Sequence, residues 1–163
     1  AFFLNAYAAT QAVLNAIERT ASQFSVHAGR IILAGYREGG TLALRIALQH
    51  PELFAAAVSL GGPLDLPAYV NIDEERLSAR RLPMLWQRAL LSDHYDESEL
   101  IDEIKSVASY RPQLEVRQYR NEDEMNTVVL SDLDRWVMEH VVSGAPVAKM
   151  HRWDTSPTSF SDN

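Results

Sequence analysis

The strongest constraint on this chain is a regular alternation of short apolar runs with amphipathic helical stripes. Residues 4–24 carry Leu14, Ile17, Ala21 and Phe24 at helical spacing, which predicts a helix ended by the turn at His27-Ala28-Gly29. Arg30 to Tyr36 is a nearly continuous apolar run, the pattern of a strand buried on both faces of a parallel sheet. A glycine-rich bend at 35–40 leads into a second helix through Ala47, closed by His50-Pro51. Phe54 to Leu60 reads as the second strand and Pro83 to Gln87 as the third, with a loop and a short helix over 64–81. Leu100, Ile101, Ile104, Val107 and Ala108 form a helical stripe. Leu114 to Tyr119 alternates as an edge strand does, and Val129, Leu133, Trp136, Val137 and Val141 share one face of a last helix.

Strands and helices alternating at these lengths imply right-handed crossovers, hence an α/β fold: a parallel sheet with helices on both faces. The first strand is apolar enough to be central, so residues upstream of this chain, or a second chain, are expected to pair with it and complete the sheet. Residues 1–143 make one domain, and the Ser-, Thr-, Pro- and Asp-rich stretch 144–163 is expected to be a flexible tail.

Composition excludes several classes. With 22 acidic against 15 basic residues, the formal charge is −7, which argues against a nucleic-acid binder that needs clustered cations. No apolar run approaches the roughly 20 residues of a membrane span. The absence of cysteine removes disulfides, thiolate chemistry and Cys-based zinc sites. The chain opens at Ala1 and runs straight into helix-forming sequence, which reads as a chain trimmed upstream, so a targeting segment cannot be assessed. A cytoplasmic location is the expectation.

The most informative segment is Gly35-Tyr36-Arg37-Glu38-Gly39-Gly40, between an apolar strand and a helix. That is the context of a nucleophile elbow, G-x-S-x-G, in which glycines at 35 and 39 would let strand and helix approach around a strained central residue. Downstream come Ala43, Ala47, Pro51, Phe54 and Ala56, then Val58-Ser59-Leu60-Gly61-Gly62. Further on lie Pro83 to Asp93, Tyr119 to Met125, and a closing helix with Trp136.

From Ala1 to about Val142 this order resembles the carboxylesterase/phospholipase branch of the α/β-hydrolase fold. The resemblance implies a Ser-His-Asp hydrolase, but the catalytic positions depart from it. The nucleophile position holds Arg37, the family's H-G pair falls on Arg88-Ala89, the catalytic Asp on Ser92 (with Asp93 next to it), and the catalytic His on Asp123. A guanidinium stays protonated and cannot attack, and Asp123 supplies no imidazole to shuttle a proton. The resemblance also places one oxyanion N–H on Glu38, with the second donor on an upstream loop outside these residues.

Two readings of Arg37 follow. At a helix N-terminus it could receive an anionic ligand. Alternatively it forms a salt bridge with Asp123 that plugs the old active site, and this plug is the preferred expectation. Ser92-Asp93-His94 holds all three triad types, but consecutive residues do not converge on one atom. Ser59 is read as a strand residue near the sheet's C-terminal end. His27, His50, His140 and His151 lack metal-ligand spacing, and the acidic runs 73–75 and 122–124 lack the glycine of a calcium loop. Neither a metal nor a cofactor is therefore expected. The sequence reads as a catalytically inactive α/β-hydrolase serving as a binding or structural module, with an anionic small molecule, a protein partner or an oligomer as its associations. The alternatives are an active serine hydrolase with a relocated nucleophile, or a subunit fragment of a larger assembly.

Overall fold

The computed structural model describes residues 6–64, 71–93, 97–110 and 112–143; the proposed tail lies outside them. In order, they form α1 (Ala6–Gln23), β1 (Ile32–Tyr36), α2 (Glu38–Gln49), β2 (Ala56–Leu60), α3 (Glu74–Arg80), β3 (Pro83–Ala89), α4 (Glu97–Ala108), β4 (Gln113–Tyr119) and α5 (Thr127–Val137). A π-helical turn, Met138–Val142, continues α5. No helix among the described residues is long and apolar enough to cross a membrane.

The strands form one parallel sheet in the order β1-β2-β3-β4. Helices cover both faces, as the alternation implies. On one face Leu44, Ile46 and Leu48 of α2, Leu77 of α3, and Leu100 and Val107 of α4 pack with Met84 and Trp86. On the other, Val129 and Trp136 of α5 pack on Ala56, Val58, Leu60 and Leu85. Each fully buried Leu or Ile contributes about 1.5–3 kcal/mol. β2 is buried along its whole length, whereas β1 is the outermost described strand on its side and is only partly covered, with Ala34 exposed. β4 lies at the opposite edge, as its alternation indicated.

Two helical stripes differ in detail. The inner face of α1 is carried by Val13 and Ile17, while Phe24 lies beyond the helix and is 66% exposed. In α4, Ile101 faces outward although Leu100 and Val107 are buried. Three or four residues make one helical turn, so a stripe read from its boundary members drifts off the true face.

The apolar pattern of α5 conceals a polar clamp. Trp136 Nε1 donates to Glu115 Oε2 at 2.9 Å, and Arg117 Nε donates to Glu115 Oε1 at 2.6 Å. Arg117 and the Tyr119 hydroxyl both donate to Asp132 Oδ2, at 2.8 and 2.6 Å. Gln87 Nε2 in turn donates to Tyr119 Oη at 2.9 Å. The Tyr119 hydrogen bond, aided by Arg117, holds the Asp132 carboxyl below its ordinary pKa against the opposing effect of burial. A depressed folded-state pKa adds stability above the unfolded-state value of about 3.9 and loses it as pH falls through the folded value. Asp132→Asn should therefore cost on the order of 1–2 kcal/mol at neutral pH, and the gap from wild type should close below about pH 4. Urea titrations at neutral and acid pH test this; a gap that does not narrow on acidification would rule out the carboxylate as its origin.

Candidate functional site

Because the sheet is parallel and in register, its strands end together. Tyr36 pairs with Leu60, Leu60 with Gln87, and Ala89 with Tyr119. The segments that follow, at 37–40, 61–62, 90–93 and 120–126, therefore gather at one edge of the sheet. Two backbone bonds, Leu90 N to Tyr119 O at 2.8 Å and Leu91 N to Asn121 O at 3.0 Å, tie the third of these segments to the fourth.

The elbow is present in its backbone. Arg37 has φ 50° and ψ −123°, a conformation costly for a residue with a side chain, and the turn around it fixes it there. Its N–H donates to Leu60 O at 2.7 Å, and its carbonyl accepts from Gly40 N at 2.8 Å and Thr41 N at 3.1 Å. The close approach expected at glycines 35 and 39 occurs at 35, 40 and 62. A Cβ on Gly35 would lie 2.0 Å from Gly39 O, and one on Gly62 would lie 2.1 Å from Arg37 O. One on Gly40 would lie 2.3 Å from Ser59 Oγ, whereas at Gly39 nothing stands within 4 Å. Gly39 sits on the outer side of the first turn of α2, so the sequence pattern marks it without any steric need.

The expected Arg37–Asp123 salt bridge is not formed: no ion pair of 4.0 Å or less joins them. Tyr36, which the sequence reading passed over, comes between. Its hydroxyl donates to Asp123 Oδ1 at 2.9 Å, and the Arg37 guanidinium lies over its ring, 5.1 Å from the centroid. Asp123 Oδ1 also accepts the Met125 N–H at 2.9 Å. The Met125 N–H, then the Tyr36 hydroxyl, and more weakly the Arg37 charge hold the Asp123 carboxyl below its ordinary pKa. Tyr36 thus lies between the two side chains, bonded to one and stacked under the other. Arg37, Glu38 and Asp123 are exposed, so the elbow opens directly to solvent.

The remaining candidates fall around this centre. Ser92 is half-buried, with its N–H on Ala89 O at 3.2 Å; Asp93 is exposed, and His94 lies outside the described residues. Ser59 is fully buried against Gly40, as a strand residue near the sheet's C-terminal end should be. Arg88, at the family's H position, is buried on β3, where it pairs with Glu103 of α4 at 3.6 Å and lies over Trp86. Glu124, in the acidic run 122–124, is only 3% exposed. It accepts the Ala89 N–H at 2.7 Å, and its carboxyl fills the space where a Cβ of Gly61 would stand. Gly61 has φ 83°, so both backbone and space require glycine there. A run of acidic residues carries no sign of which member turns inward. No group of three or more His, Asp or Glu that could hold a metal ion occurs among the described residues.

Residues 5–117 match the model of the prolyl oligopeptidase family. The chain belongs to that family. Its fold is that of the α/β-hydrolases, as comparison with solved structures bears out. SOBER1 of Arabidopsis thaliana superposes with a TM-score of 0.65 at 16% identity, over 83% of this chain and 64% of that one. The Bacillus cereus carboxylesterase gives 0.64 at 10% identity, over 80% and 59%. The S527A variant of the AtxE2 isopeptidase, with astexin3-dC4 bound, gives 0.64 at 15% identity, over 86% and 26%. The carboxylesterase-like resemblance is therefore shown at the level of fold. This member of the prolyl oligopeptidase family spans 64% of the length of SOBER1. No curated protein matches the sequence at a significant level.

Proposed function

We propose that this protein is a non-catalytic member of its hydrolase family, with the elbow retained as a ligand-binding edge. The observation that carries the reading is Arg37 itself: the strained elbow backbone remains, but the side chain it projects is a permanently charged guanidinium. The loop position opposite holds Asp123, which accepts hydrogen bonds from Tyr36 and Met125 and cannot act as an imidazole base. With nucleophile and base both replaced, acyl transfer at this place has no chemical route. Arg37 instead suits an anionic group, since its exposed guanidinium carries donors at the N-terminus of α2.

Family membership favours a second reading, an active serine hydrolase whose nucleophile lies outside the usual position. The share of SOBER1 that the chain spans also leaves room for a subunit of a larger assembly. Labelling of the full-length native protein with a fluorophosphonate probe separates activity from inactivity, because the probe reports an activated serine without knowledge of the substrate. No labelling is expected beside a serine esterase that labels fully. Stoichiometric modification would overturn the reading, and the modified serine would locate the machinery.

A further inference from the structure

We draw no further inference here: the strongest candidate, the apolar groove that Val13 and Ile17 of α1 form with Ile31, Leu33 and Phe54 beside the outer edge of β1, carries nothing, because nothing in the structure shows what covers it.

Discussion

Gly35→Ala is expected to destabilise the protein by about 3 kcal/mol or more, whereas Gly39→Ala should leave it unharmed. At position 35 a Cβ would stand 2.0 Å from Gly39 O, 2.2 Å from Gly39 C and 2.6 Å from Gly40 N. All three are backbone atoms of the first turn of α2, so no side-chain rotation relieves the overlap. The strand and the helix would have to separate, and with them the carbonyl of Arg37 that caps Gly40 and Thr41. Position 39 is the reverse case. It lies within α2, has nothing within 4 Å of an added Cβ, and carries no left-handed backbone. Alanine in a helix is favoured over glycine by up to about 1 kcal/mol, so Gly39→Ala should be neutral or stabilising. Urea denaturation of the two variants decides the matter. Similar midpoints for both would mean that the elbow is not packed as described.

That contrast shows what the sequence made legible and what it did not. Apolar runs and helical stripes located each strand and helix because burial imposes a period on the chain, and the parallel order followed from their alternation. The strand-to-helix turn at Arg37 was found from its glycines. The failures share one cause: a one-dimensional pattern does not state which way a polar side chain turns. Glu124 sits among acidic neighbours and points inward onto Ala89 N–H, while Asp123 beside it is exposed. Tyr36 stands in an apolar run and looks like core, yet its hydroxyl reaches Asp123 and its ring receives Arg37, the arrangement formed in place of the expected salt bridge. The clamp of Glu115, Arg117, Tyr119 and Asp132 was equally hidden, because alternation on β4 marks an edge strand whether its polar side chains meet water or each other.

The second large effect is expected at Trp86, where the core meets the elbow. Trp86 is fully buried on β3, and its Nε1–H donates to Gly62 O at 2.7 Å. Gly62 is the glycine that leaves room for the Arg37 carbonyl, so the indole holds the turn against which the elbow rests. Its ring also lies under the buried Arg88 guanidinium, at 5.1 Å. Trp86→Ala should cost about 3–5 kcal/mol, from lost burial and an unfilled cavity, with the Gly62 carbonyl and the Arg88–Glu103 pair left poorly covered. Trp86→Phe keeps most of the apolar volume and deletes the donor; it should cost about 1–3 kcal/mol. The phenylalanine variant should also speed amide hydrogen exchange at Arg37, Gly40 and Thr41 well before it speeds exchange in β4, since local opening follows the loosened contact. Uniform acceleration across the sheet would mean that Trp86 supports the core alone. Selective acceleration at the elbow would mean that the core holds Arg37 in its strained conformation through Gly62, and that the projection of this side chain from the sheet edge is a property of the whole β2–β3 interior.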